Sequence, residues 1–412
     1  MRPAVKKRDG WMTSGKMALW AAAWVLVGAT AAGAQPAAAP AAGAPAARPR
    51  SSTTSNLPPQ DEAMLRARHP ELYVLAPVAH GYAPKKTAWG DPDLRGMWPI
   101  DSLGGLPLQR PAAMGNRVLL SDEELKARET LMDQWRHAAA EETRDNKLGM
   151  GNWVEMTGAG GRTSLLIDPA DGRLPELTAE AKRLDAAGRS SWVRGQTFDW
   201  VTDFDSWDRC ITRGFPASML PFRYNNGVQI FQAPGYVVIN LEMIHDARVI
   251  PLDGRSAPSA AVSNWMGVSR GHWEGATLVV ETDHIRPGAS PLNMATIGAP
   301  ANNTIPMSPQ AHVTERLTPT GPNTIVYEMT FSDPVYWTAP FTVRADWTRN
   351  ETYKFYEYAC HEGDEQVRNY ITASRAQRAK DKAAAEQAAQ AAKPPPAAPA
   401  APAKKKFLGL VG

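Results

Sequence analysis

From Tyr224 onward, hydrophobic and polar positions alternate in short runs divided by turn residues. Ile325, Tyr327, Met329 and Phe331 fall on one side of a period-two pattern, with Val326, Glu328 and Thr330 on the other. Phe341, Val343, Ala345 and Trp347 likewise oppose Thr342, Arg344, Asp346 and Thr348. Successive side chains of a strand point to opposite faces, so each run predicts a strand with one packed and one wet face. Runs of this kind place strands at 228–232, 236–244 continuing through 248–250, 265–272, 277–283, 312–317, 324–331, 341–348 and 353–360. Asn226-Gly227, Pro234-Gly235, Asp253-Gly254, Glu274-Gly275 and Thr320-Gly321-Pro322-Asn323 supply the turns. Strands joined this tightly pair antiparallel, because parallel pairing needs long crossovers. The expectation is a mainly β fold: an antiparallel meander of about eight or nine strands, closed as a lipocalin-like barrel or left as a half-open sheet.

Residues 59–222 have a different texture, mixed helix and loop, and are expected to pack on the sheet. Ser121 and Glu124 form a capping box, and Leu125, Leu131, Met132 and Trp135 follow at near-helical spacing. A shorter helix fits 179–187, stopped by Gly188. A strand at 163–167 ends in the turn Asp168-Pro169-Ala170-Asp171-Gly172. The β-domain is assigned to 223–372.

The ends carry a different message. Arg2, Lys6, Lys7 and Arg8 precede an apolar run over 17–30, and Ala32-Gly33-Ala34 has the small-residue pattern of a cleavage site. Residues 1–34 therefore read as a secretory signal, too short in its apolar part for a span of ~20 residues, with an uncleaved anchor as the alternative. An Ala/Pro linker over 35–58 and an Ala/Pro/Lys-rich tail over 373–412 hold little to bury. A periplasmic or secreted protein follows, with no membrane span after cleavage.

Charge sharpens that picture. The chain of 412 residues is +3 overall, but 1–58 and 373–412 together carry +12, leaving −9 for residues 59–372. A domain of that sign repels phosphate backbones, so no nucleic-acid partner is expected. The basic C-terminal tail can contact an anionic envelope surface. The two cysteines, Cys210 and Cys360, are expected to pair in an oxidising compartment; two separate buried thiols are the alternative.

Four stretches carry a resemblance: Tyr224-Asn225-Asn226; Ile244-His245-Asp246-Ala247-Arg248-Val249-Ile250-Pro251-Leu252-Asp253-Gly254-Arg255; Ser269-Arg270-Gly271-His272-Trp273-Glu274-Gly275; and Tyr356-Glu357-Tyr358-Ala359-Cys360-His361-Glu362-Gly363. Together they resemble an uncharacterised family of exported bacterial proteins over roughly 92–375. The resemblance implies a periplasmic, β-rich domain and brings no activity with it.

The candidate chemistry lies in two of these stretches. An unbroken strand over 236–250 would put Asn240, Glu242, Asp246 and Arg248 on one face and His245 on the other. Carboxylates beside an arginine can supply an acid and a base, or clamp a polar ligand; a solvent-facing row of ion pairs is the plain alternative. Tyr356, Tyr358 and Cys360 share a second face, with His361 and Glu362 at the strand exit. Closure of the meander would bring Asp246, Arg248, His361 and Glu362 to one end, with Glu242 deeper. The expected catalytic set is Asp246, His361, Glu362 and Glu242; the expected binding set is Arg248, His245, Tyr356, Tyr358 and Trp273, the last a stacking platform. No HExxH or HxH spacing, GxSxG elbow, phosphate loop or dinucleotide fingerprint occurs, so neither metal nor cofactor is expected. Three functions remain open: a small-molecule binding protein for an apolar, aromatic or sugar-like ligand, a hydrolase or lyase, and an envelope interaction protein.

Overall fold

The computed structural model describes residues 59–145, 155, 157–158, 160–187, 196–222, 224–259, 261–287, 307–362 and 364–392. The expected secretory signal, the expected 35–58 linker and the Pro/Lys end of the tail lie outside the described residues. Among the described residues, ten strands form two antiparallel sheets. The smaller contains β1 (Gly96–Met97), β3 (Val228–Ala233), β4 (Tyr236–Leu241) and β5 (Ala247–Pro251), in the order β1-β3-β4-β5. The larger runs β2-β10-β9-β8-β7-β6. Its members are β2 (Leu166–Asp168), β6 (Val268–Glu274), β7 (Thr277–Asp283), β8 (His312–Gly321), β9 (Thr324–Ser332) and β10 (Phe341–Thr348).

The meander is therefore real, but it does not close into a lipocalin-like barrel. Closure requires the first and last strands of the meander to pair with each other. Instead β1 pairs with β3 and β2 pairs with β10, so short strands from the 59–222 segment take one edge of each sheet, with β5 and β6 at the other edges. Edge protection of this kind also removes a template for aggregation.

Period-two patterning holds closely in β9 and β10. Ile325, Tyr327, Met329, Phe331, Phe341, Val343, Ala345 and Trp347 are all buried and belong to one core with Val237, Ile239 and Ile250 of the smaller sheet. Arg344 departs from it: expected on the wet face, it is buried because residues of the N-terminal segment cover it, and its Nη1 donates to the Ala76 carbonyl at 2.7 Å.

Four helices are described: α1 (Pro59–Arg68), α2 (Asp122–Arg144), α3 (Ala179–Ala187) and α4 (Gln366–Ala391). The capping box of α2 forms as expected, with the Glu124 N–H donating to Ser121 Oγ at 3.2 Å and the Ser121 N–H to Glu124 Oε2 at 2.9 Å. Met132 is buried, whereas Leu131 is exposed, so the helix buries a narrower stripe than its spacing suggests. Helix α4 crosses the expected tail boundary at 373, and its first turns are anchored. Tyr370 packs against Phe198 and Phe204, and Arg378 pairs with Asp199. No described helix is long and apolar enough to cross a membrane.

One expected strand breaks in two and another is absent, and both departures shape the site. The long strand over 236–250 breaks at Glu242, and β5 turns back to pair with β4, matching Asn240 to Ala247 and Val238 to Val249. Residues 353–360 form no strand either, because side chains rather than a neighbouring strand hold their backbone; the Tyr356 N–H donates to Glu242 Oε1 at 2.8 Å.

Candidate functional site

Reversal of the chain at Glu242 changes the face on which Arg248 lies. It projects inward with Ile250, away from the solvent-facing row expected of it. There its guanidinium forks onto Glu315 of β8, Nη1 to Oε1 at 2.8 Å and Nη2 to Oε2 at 2.5 Å. Nη2 also reaches Ser269 Oγ and Thr282 Oγ1 at 3.0 and 3.1 Å, Tyr327 donates to Glu315 Oε1 at 2.9 Å, and the Phe215 ring lies 4.3 Å from the guanidinium carbon. Arg248 and Glu315 are both buried, so this network is a polar staple between the two sheets rather than a rim site. Gly271 completes the contact. A Cβ there would sit 2.9 Å from both Ile250 Cγ2 and Leu252 Cδ2, so only glycine lets β6 approach the smaller sheet this closely. Two of the four motif stretches thus meet each other in the core. Sequence reasoning missed Glu315, although its signal was present: it shares a strand face with buried Val313 and Leu317.

Residues 242–246 form the loop of the β4–β5 hairpin. Ile244 (φ 58°) and His245 (φ 45°) both adopt left-handed backbone, a conformation that a β-branched residue such as isoleucine enters at a cost of about 1–3 kcal/mol. Ile244 is held there by burial with Met243, Trp207 and Phe222. Glu242 is fully buried and accepts three hydrogen bonds: from the Gly227 N–H at 2.9 Å, the Tyr353 hydroxyl at 2.6 Å and the Tyr356 N–H. Burial, with the Glu242 carboxylate beside it, pushes the Tyr353 hydroxyl far above its ordinary range. Glu242 is thus a hub that gathers the turn before β3 and the segment after β10.

Asp246 stands at the far side of the loop, with Oδ2 accepting from Thr212 at 2.6 Å. Desolvation by burial raises its carboxyl to about 6 against the Thr212 hydrogen bond and His245, which lower it. Because the folded value exceeds the ordinary 3.8, the native state binds this proton more tightly. The stabilisation it contributes is complete below 3.8 and lost as pH rises through about 6. Asp246→Asn, which keeps an acceptor for Thr212, should therefore match the parent near pH 4 and exceed its stability by about 2 kcal/mol at pH 8. Urea melts at the two pH values check this; a variant equally or less stable at pH 8 would refute the desolvated carboxylate.

The remaining expected residues divide. A disulfide joins Cys210 to Cys360, two residues from Thr212 on one side and one from His361 on the other. Tyr358 is half-buried against Trp207, whose Nε1 donates to its hydroxyl at 3.2 Å. His245, Tyr356, His361 and Glu362 are exposed, and among the described residues no hydrogen bond or ion pair joins His361 or Glu362 to Asp246. Trp273 packs on the main core from β6, in the other sheet. Arg248, expected beside Asp246, belongs to the inter-sheet staple. Among the described residues no three His, Cys, Asp or Glu side chains are grouped to hold a metal ion.

A shallow cleft opens beside the hairpin loop, with enclosed room for about one water and the rest of its space open to solvent. Arg213, Asn225, Asn226, Gly227 and Met243 are among its lining residues. Asn226 shapes the turn by bonding both the N–H and the carbonyl of Phe222, at 2.7 and 2.9 Å. Arg213 is almost wholly buried, yet donates only Nη1, to the Leu220 carbonyl at 2.9 Å; desolvation lowers its guanidinium to about 9. Nothing in the sequence flagged it, since it sits in an irregular loop with no periodicity to violate. Comparison of the chain with protein-family models, with curated proteins and with solved structures finds no match.

Proposed function

We propose that this is an exported periplasmic or secreted binding protein that seats a small molecule, apolar, aromatic or sugar-like in its body, at the cleft beside the Glu242–Asp246 loop. One observation carries this reading. The Tyr224-Asn225-Asn226 stretch lines that cleft through Asn225 and Asn226, Met243 of the hairpin loop lines it too, and Glu242 ties the segment around Tyr356 to the lining residue Gly227. Trp207, Phe222, Tyr224 and Tyr358 add an aromatic cluster alongside, with Phe222 meeting Trp207 and Tyr224 edge-on at 4.9 and 5.1 Å. Aromatic walls with a few polar groups are the usual make-up of a small-molecule site. The disulfide suits an oxidising compartment, in keeping with the N-terminal sequence.

Tryptophan fluorescence titrated with a panel of aromatic compounds and sugars tests the reading, together with native mass spectrometry of protein isolated from the periplasm. At least one compound should quench saturably, with affinity about tenfold weaker in Tyr224→Ala. Val249→Ala, on the outward face of β5, should leave it unchanged. A flat response across the panel with no co-purifying ligand would sink the proposal. The second reading, a hydrolase or lyase working through Asp246 with His361 and Glu362, draws support from the carboxyl held near 6, a value suited to proton exchange. Turnover of a bound compound that Asp246→Asn abolishes would establish it instead.

A further inference from the structure

We propose that helix α4 and the exposed aromatic residues at its anchored end form a docking surface for an anionic lipid bilayer. This inference stands apart from the cleft and does not depend on what binds there. The anchored end is rich in the residue types that settle at a membrane interface. Trp200 is 62% exposed, Tyr370 55% and Val201 39%. The contacts that hold α4 bring them together. Tyr370 packs against Phe198 and Phe204, its ring centroid 5.7 and 6.3 Å from theirs, while Arg375 and Arg378 pair with Asp199. The Asp199 and Trp200 N–H groups both donate to Asp203, at 2.6 and 2.9 Å, which fixes the turn that presents the indole.

Charge decides the partner. Residues 373–412 carry +6, whereas residues 59–372 carry −9. An anionic surface repels the body of such a molecule and attracts this end of it. The cations of α4 are Arg368, Arg375, Arg378, Lys380 and Lys382, and the carboxylates outside the helix that pair with them are Asp199 and Glu365. Lys380 has no carboxylate partner among the described residues, and Lys382 meets Glu386 at 4.0 Å with both side chains in solvent. From Ala379 to Ala392 every residue is exposed, a stretch of about 20 Å that stands clear of the body. That exceeds the ~8 Å over which charges are felt at physiological salt, so the far end is screened from the acidic body. The sequence beyond it continues the pattern, with Lys393, Lys404, Lys405 and Lys406 followed by Phe407, Leu408, Leu410 and Val411. Cations and apolar side chains together hold a protein on an anionic membrane, where either alone binds weakly.

Flotation of the full-length protein with vesicles tests this, comparing phosphatidylcholine alone with equal parts phosphatidylcholine and phosphatidylglycerol. The mixed vesicles should bind at least about tenfold more tightly, and the tryptophan emission should shift to the blue on binding. Binding should be lost near 1 M salt, where the screening length falls to about 3 Å. Lys380→Gln combined with Lys382→Gln should weaken it about twentyfold, since each cation near the surface contributes about fivefold. Trp200→Ala should weaken it about tenfold and remove the blue shift. All three positions are exposed, so the melting temperature should not change. Equal binding to both vesicle types, or binding that resists salt, overturns the proposal and points to the apolar run over 17–30 instead. Absence of binding to either vesicle overturns it as well. If the protein is released only by Lys404→Gln, Lys405→Gln and Lys406→Gln together, while the α4 and Trp200 variants bind like the parent, the assignment to α4 is overturned.

Discussion

Glu315→Ala should destabilise the protein by about 3–5 kcal/mol, the largest loss expected of a single polar substitution here. The reason is what it leaves behind. Arg248 would remain buried between the sheets with two of its charge-assisted bonds gone, and the Tyr327 hydroxyl would lose its acceptor. An uncompensated buried charge costs far more than the intact pair contributes, because the pair's mutual attraction merely offsets its desolvation. A double substitution, Arg248→Met with Glu315→Leu, should therefore recover much of the loss by replacing the pair with apolar volume. Urea denaturation of the parent, the single variant and the double variant makes the comparison directly. If the single variant loses under about 1 kcal/mol, or the double loses as much as the single, the staple is not the buried ion pair described. Ligand binding in the double variant should persist, since the cleft lies at the hairpin loop and not between the sheets.

Loss of the Cys210–Cys360 disulfide should cost about 2–5 kcal/mol. The bridge closes a loop spanning 150 residues of sequence, so it removes much conformational freedom from the unfolded chain. Its removal should also loosen the stretch from Tyr353 to Glu362, which has no strand partner and depends on Glu242, Trp207 and the bridge. Cys210→Ala, Cys360→Ala and the double variant should lower the denaturation midpoint by similar amounts, as each deletes the same cross-link. Hydrogen exchange should accelerate in 353–362 ahead of β8 and β9. Unchanged midpoints, or thiols that titrate in the native protein, would show that the bridge does not hold this segment.

How much of the fold was legible depended on the range of the forces involved. β7 and β10 occupy the residues their patterning predicts, 277–283 and 341–348, and α3 spans 179–187 as its spacing and the following glycine imply. Alternation, capping and turn chemistry act within a few residues, so they can be read from a short window. The run from 236 to 250 looked continuous because nothing local marks a reversal at Glu242. The break requires Ile244 in a left-handed conformation, which its own sequence disfavours and only the surrounding burial sustains. That one reversal moved Arg248 from an expected rim to the interior.

The candidate site divides along the same line. Asp246, Glu242, Tyr356 and Tyr358 were legible as a polar and aromatic concentration, and the structure gathers them around one loop and the segment tied to it. Arg213 and Thr212 were not, because an irregular loop shows no pattern against which a buried charge stands out. By itself the sequence determined several strand and helix segments, β7, β10 and α3 among them, the antiparallel sense of their pairing and the charge of the folded part. It pointed to the Cys210–Cys360 pair only through compartment chemistry, not through geometry. Tertiary structure alone decided that the meander stays open, that Arg248 answers Glu315 across 67 positions, and that Arg213 is buried beside a cleft with Nε and Nη2 unpartnered. The physical reason is common to all three: each is set by contacts between residues far apart in the chain, where burial and partner availability outweigh local preference.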